Sequence, residues 1–130
     1  MTQTVIPYLL YEDAARALDF LSEAFGFKET FRSEDGDRIA HAEMTLGDGR
    51  IMLGQPGEGF TSPKDRGVGA VLLYAYVEDV EGHCEQARKA GAEIVEEPSD
   101  QEYGERVYHA RDSEGHDWYF GQPVRVAAGT

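Results

Sequence analysis

A chain of 130 residues with 41% apolar side chains has the size of one domain and can build a core, which excludes a disordered polypeptide. Its 25 Asp and Glu against 12 Lys and Arg give a formal net charge of −13, a field that repels phosphate backbones and anionic bilayers, so no nucleic acid and no membrane is expected as a partner. No apolar run approaches the roughly 18 residues of a membrane span, and no basic segment leads into an apolar one at the start, so a cytoplasmic protein is expected.

The stretch Thr4 to Tyr11 is an apolar strand, and Pro7 within it favours a sheet edge or a bulge. Asp13 has the character of a helix N-cap, and Ala14, Ala17, Leu18, Leu21, Ala24 and Phe25 recur at steps of three and four along one helix face that Gly26 ends. Three short extended runs follow, from Phe27 to Ser33, Arg38 to Leu46 and Arg50 to Gly54, separated by the turn sequences EDGD and GDG. The same order returns. Ala70 to Val77 is a strand, Asp79 caps a helix from about Val80 to Ala90 that Gly91 closes, and Ala92 to Glu97, Glu105 to Arg111 and Asp117 to Gly121 are extended. Cys84, the single cysteine, lies with Val80 and Ala87 on the inner stripe of this second helix and is expected to be a buried structural thiol.

The recurrence is an internal repeat. Tyr11 to Glu29 lines up with Val77 to Glu96, His41 to Pro56 lines up with His109 to Pro123, and the tripeptide GQP ends both copies. The expected fold class is α+β: two tandem β-α-β-β-β units, about 3–56 and 70–123, joined by a Gly- and Pro-rich linker at 57–69, in one domain. One face of each sheet carries the helix, and the other is free to help enclose a cleft as half of an incomplete barrel.

The stretches YEDAARALDFLSEAFGFKE and PSDQEYGERVYHARDSEGHDWYFGQ, with the paired unit order, resemble the vicinal oxygen chelate superfamily, which holds glyoxalase I, extradiol dioxygenases, fosfomycin-resistance enzymes and bleomycin-resistance proteins. The resemblance implies a homodimer, a cleft for a small molecule and, in the enzymes, one divalent ion held by His, Gln and Glu. Counted onto this sequence, the four usual ligand positions are Ile6, Met52, Leu72 and Tyr119, three hydrocarbon or thioether side chains and a phenol, none of them a good ligand. The expectation is therefore no metal and no cofactor, closest in character to bleomycin-resistance-like members.

Strand alternation places Tyr8, Met52, Tyr74, Tyr76 and Tyr119 toward the cleft as ligand-binding candidates, and Tyr103 lies in a loop able to close over it. On the third strand of the first unit, Ala40, Ala42, Met44 and Leu46 should meet the helix, leaving Ile39, His41, Glu43 and Thr45 for the cleft. By the repeat, His109 and Arg111 correspond to His41 and Glu43, and the four are the candidates for orienting a ligand or moving a proton. The plainer alternative is a set of strand residues with a Glu43–Arg111 pair. Convergence of His41, Glu43 and His109 would make an unconventional metal site. Trp118 and Phe120 have core parity, and His83, on the exposed side of a helix, and His116, in a turn, receive no role. Three functions are compatible with this pattern: a metal-independent protein that sequesters an aromatic or cationic compound, a lyase, isomerase or dioxygenase with a displaced metal or a His-based acid–base mechanism, and a protein-interaction subunit.

Overall fold

A computed structural model describes residues 3–67 and 71–124; the end of the expected linker and the first residue of the second unit, at 68–70, lie outside the described residues. The first unit comprises β1 (Tyr8–Leu10), α1 (Ala14–Phe25), β2 (Lys28–Asp35), β3 (Arg38–Leu46) and β4 (Gly49–Gly54). After a short helix α2 (Pro63–Arg66), the second comprises β5 (Leu72–Tyr76), α3 (Val80–Lys89), β6 (Glu93–Asp100), β7 (Glu105–Arg111) and β8 (Asp117–Pro123). Each unit makes a four-stranded sheet, in the orders β1-β4-β3-β2 and β5-β8-β7-β6, with its first strand parallel to its last and the other pairs antiparallel. There is no closed barrel among the described residues, and the α+β fold of two repeated units stands as expected.

The repeated GQP has a local physical cause. Gln55 Oε1 accepts from the backbone N–H of Ala14 at 3.1 Å, and Gln122 Oε1 accepts from that of Val80 at 2.8 Å, so each glutamine satisfies a free donor at the start of its unit's helix. Asp13 and Asp79 satisfy another, accepting from Arg16 N and Gly82 N, each at 3.1 Å. The glycines make room: a Cβ at Gly54 would lie 2.8 Å from the Tyr8 hydroxyl, and one at Gly121 would lie 2.7 Å from that of Tyr74. In both units the tyrosine of the first strand crosses the last strand over a residue that has no side chain.

The helices pack on each other between the units, and Phe25 of α1 reaches Trp118 and Phe120 of β8 with ring centroids 5.6 and 4.8 Å apart. Trp118 and Phe120 are core residues, as their parity indicates, and Cys84 is buried beside Val80 and Ala87. Two sequence expectations are corrected. Ile39 is buried in the core instead of facing a cleft, because β3 shifts register against β2 opposite it and the side-chain alternation changes there. His83 is not on an exposed helix face: its Nε2–H donates to Phe25 O at 2.7 Å and its Nδ1 accepts from the Tyr108 hydroxyl at 2.6 Å, tying α3 to α1 and β7. The segment between the units is fastened to the first one, since Ser62 is fully buried and its N–H donates to Glu12 at 2.7 Å.

The two units are joined by the β7–β8 loop at 112–116. Asp112 accepts from Tyr11 Oη at 2.6 Å, Trp118 Nε1 at 3.0 Å and the backbone N–H groups of Glu114 and His116. Glu114 accepts from Glu12 N and Asp13 N at 2.6 and 2.7 Å, a carboxylate at the positive start of α1. His116, from the same loop, donates to Leu10 O at 2.9 Å, a linking role its turn position did not suggest. The Tyr11 phenol is buried and held protonated, by desolvation first and the charge of Asp112 second.

Replacing Asp112 by Ala leaves four donors without their acceptor, and unfolding in urea should show a loss of about 3 kcal/mol or more. Burial lowers the pKa of His83, partly countered by its bond to Phe25 O, so the neutral form is favoured in the fold. The stability this contributes is fully present above the unfolded value near 6.5 and is lost as pH falls toward the depressed folded value. Wild-type stability should therefore decline below about pH 6.5 more steeply than that of a His83→Gln variant, measured by denaturant titrations across pH.

Candidate functional site

Each sheet has a polar and aromatic face opposite its helix, and strand register sets the rows. On the first sheet Phe31, Glu43, Met52 and Tyr8 are consecutive partners across β2, β3, β4 and β1. On the second, Glu96, His109, Tyr119 and Tyr74 occupy the same row across β6, β7, β8 and β5. The counterpart of His109 is thus Glu43 and not His41, a correction of two residues to the repeat alignment. The cause is the hairpin: β3 and β4 join through a two-residue turn, whereas the β7–β8 loop has five residues, so matching His-Ala pairs do not occupy matching places.

On the first face His41 stands between two partners. Its Nδ1 lies 2.9 Å from the Tyr8 hydroxyl and its Nε2 lies 2.9 Å from Glu43 Oε2, while Arg50 donates to Glu43 Oε1 at 3.3 Å. The hydrogen bond from His41, aided by Arg50, holds the Glu43 carboxyl below the usual carboxylate range despite partial desolvation.

On the second face the rings of His109 and Tyr119 stack at 4.2 Å, and that of Tyr74 lies parallel to Tyr119 at 6.4 Å. Asp117 Oδ1 accepts from His109 Nε2 at 2.8 Å and from Arg111 Nε at 3.0 Å. Burial pushes the Asp117 carboxyl up, but the His109 and Arg111 bonds and the Arg111 charge together outweigh it, and the net displacement is downward. The expected Glu43–Arg111 pair does not form: Glu43 is bound to His41 and Arg50, and Arg111 to Asp117 and Glu93, on different sheets. Glu105, at the start of β7, accepts from the phenols of both Tyr74 and Tyr76. The Tyr74 phenol is pushed well up by burial first and Glu105 second, and that of Tyr76 chiefly by Glu105. Tyr103 lies in the β6–β7 loop and is exposed. Sequence pattern does not single out Arg50, Phe31, Glu105 or Asp117 as site residues, although period-two parity with Tyr119 would have brought in Asp117.

The seam between the sheets, where the outer strands β1 and β5 face, holds two hollows. One of about 480 Å³ is lined by Tyr8, Leu10, Phe60, Arg66 and Leu73 among others, and one of about 290 Å³ by Pro7, Arg50, Ile51, Tyr74 and Tyr76 among others.

A family model described as the Glyoxalase/Bleomycin resistance protein/Dioxygenase superfamily matches residues 3–120. The chain belongs to this superfamily. An uncharacterized protein of Mycobacterium tuberculosis (strain H37Rv) is 34% identical over 125 residues, covering 92% of this chain and 74% of that protein. The crystal structure of TioX from Micromonospora sp. ML1 is 33% identical with a TM-score of 0.78, covering 95% of this chain and 100% of that one. A glyoxylase/bleomycin resistance protein/dioxygenase domain from Frankia sp. EAN1pec shares the fold at 19% identity and a TM-score of 0.75, covering 95% and 98% of the two chains.

Superfamily enzymes imply a divalent ion, and its usual positions here are Ile6, Met52, Leu72 and Tyr119. Hydrocarbon, thioether and phenol groups do not form a donor set for such an ion. His41, Glu43 and His109 do not come together as a cluster of possible ligands. Among the described residues, no group of three His, Cys, Asp or Glu side chains is placed to hold a metal. The residues present do not fit the group.

Because Glu105 holds two phenols in their protonated form, Glu105→Gln should lower the titration midpoints of Tyr74 and Tyr76. Ultraviolet difference titration of wild type and variant, with Tyr74→Phe and Tyr76→Phe to assign the components, checks this. Unchanged midpoints would remove Glu105 from its place as their acceptor.

Proposed function

We propose that this superfamily member is a metal-independent small-molecule binding protein, acting as a homodimer, that sequesters an aromatic or cationic compound. The observation that carries the reading is the His109–Tyr119–Tyr74 array, parallel rings on an open sheet face with Glu105 and Asp117 beside them. Parallel aromatic faces bury a planar ligand with little side-chain entropy to lose, and the Glu105 carboxylate beside them favours positive charge. The donor chemistry at the four usual metal positions supports the same reading, because it replaces ion ligands by groups that bind apolar surface.

The dimer reading rests on where apolar side chains are exposed. Val5 and Leu10 on and before β1, and Val71 and Leu72 on and before β5, are exposed along the two outer strands of the sheets. Apolar exposure gathered on adjoining edges marks a surface that is covered in the working molecule, and a second copy would bring a first-unit face opposite a second-unit face.

Elemental analysis after dialysis against Mn, Fe, Co, Ni and Zn should find less than about a tenth of an equivalent of any ion per chain. Near one equivalent, lost on replacing His41 or His109, would favour a metal-dependent enzyme instead. A planar aromatic cation such as acridine orange should raise the melting temperature, by the equivalent of about 2.7 kcal/mol at a hundred times its Kd, and Tyr119→Ala should abolish the rise. Light scattering should give twice the chain mass for wild type and the single mass for Leu72→Glu. A monomeric wild type overturns the dimer.

A further inference from the structure

The first face carries an arrangement that binding does not require. Tyr8 and His41 lie on β1 and β3, with β4 between them, and the phenol reaches the imidazole only by passing over Gly54. His41 in turn meets Glu43, which Arg50 holds from β4. The order is hydroxyl, imidazole, carboxylate. A carboxylate can only accept, so the His41 nitrogen facing Glu43, Nε2, carries the proton, which leaves the Nδ1 lone pair to accept from the Tyr8 O–H. Tyr8 is 47% exposed, so its oxygen is open to a ligand, and Phe31 and Met52 beside it supply an apolar floor.

The second unit shows the same device without the base. Tyr74 crosses Gly121 as Tyr8 crosses Gly54, but the partner of Gly121 on β7 is Val107, and the Tyr74 phenol goes to the Glu105 carboxylate instead. Tyr74 is therefore a built-in control, a phenol in the same scaffold with no imidazole to take its proton.

We infer that Glu43, His41 and Tyr8 form a proton relay that makes the Tyr8 oxygen a nucleophile toward acyl and sulfonyl electrophiles. As the phenol oxygen bonds to the electrophilic carbon or sulfur, its O–H bond breaks and the proton passes to His41 Nδ1. The imidazolium is stabilised by Glu43, and the leaving group departs with the electron pair of its bond. From an ester, the departing alkoxide takes the proton back from Nδ1, so the neutral alcohol leaves and Tyr8 is acylated. Tyr8 is the catalytic residue of this step, His41 the base, and Glu43 a positioning residue acting through His41. The charged and titratable groups around His41 are Tyr8 from β1, Glu43 from its own strand and, through Glu43, Arg50 from β4; β2 contributes the uncharged Phe31. The inference goes beyond ligand binding and shares with that reading only the openness of the face.

The test uses the whole chain and benzenesulfonyl fluoride, with the modified tyrosines quantified by peptide mass spectrometry. Tyr8 should be labelled about tenfold or more faster than Tyr103, which is exposed, and than Tyr74. His41→Phe and Gly54→Ala should bring Tyr8 down to the Tyr103 rate, the second by blocking the path of the phenol without removing a relay group. Glu43→Gln should lower the rate and move the inflection of its pH profile, which a merely structural carboxylate would not do. Labelling of Tyr8 no faster than Tyr103 overturns the inference, and so does an excess that survives His41→Phe. The wild-type comparison decides even if a variant fails to fold. Thermal shift with the aromatic cation on the same samples separates the two readings: fast Tyr8 labelling without a shift sinks the binding function alone, and a shift without fast labelling sinks the relay alone.

Discussion

Two buried carboxylates in one five-residue loop hold the molecule together. Asp112 and Glu114 leave the second sheet and end on the first unit, the former on Tyr11 and the latter at the start of α1. A buried carboxylate is costly unless every lone pair has a donor, and here the donors come from both units and from the loop's own backbone. The linker depends on the same loop, since Lys64 N donates to Glu114 O at 3.0 Å and Ser62 N to Glu12. Gly115 is open to this approach, because a Cβ there would lie 2.7 Å from Lys64 N. The relative placement of the two sheets, and with it the seam between β1 and β5, follows from those contacts.

The duplication separates what the scaffold needs from what the faces do. Helix starts capped by Asp and Gln, and a tyrosine laid over glycine, are kept in both copies because any sheet and helix joined this way must satisfy the same donors and clear the same space. Side chains on the open faces are under no such constraint. In equivalent rows Met52 stands against Tyr119, Glu43 against His109, and Arg50 against Asp117. One face became a hydrogen-bonded chain ending in an exposed phenol, and the other a stack of rings backed by carboxylates.

Legibility in the sequence divides along the same line. The helix stripe from Ala14 to Phe25, the caps and the sequence of elements along the chain were readable because local periodicity and capping chemistry act within a few residues. Trp118 and Phe120 were readable as core by parity alone. What failed was register across gaps: counting His109 onto His41 ignored that a five-residue loop replaces a two-residue turn, and Ile39 changed sides at a shift no pattern announced. His83 was misjudged because its partners, Phe25 O and Tyr108, lie 58 and 25 residues away and belong to another helix and a strand. The Glu43–Arg111 pair failed for a related reason, since residues joined by a repeat need not share a sheet.

In the proposed binding function, the acidic excess and the ring stack act on different parts of binding. On β6, an outer strand of the second sheet, Glu93, Glu97 and Asp100 pair with Arg111, Arg88 and Arg106, and Glu96 stands beside them. Such a strand is protected by its charges against pairing with another chain. The carboxylates of the faces are paired in the same way: Asp117 with Arg111 and His109, and Glu43 with Arg50. The field of the net charge of −13 reaches outward over about a Debye length, close to 8 Å at physiological salt, and so acts on approach. Contact with Tyr74 and Tyr119 is short-ranged and unscreened, and so acts on retention. Salt should therefore slow the capture of a cation while leaving its escape from the rings nearly unchanged, a division that follows from the long reach of net charge and the short reach of aromatic contact.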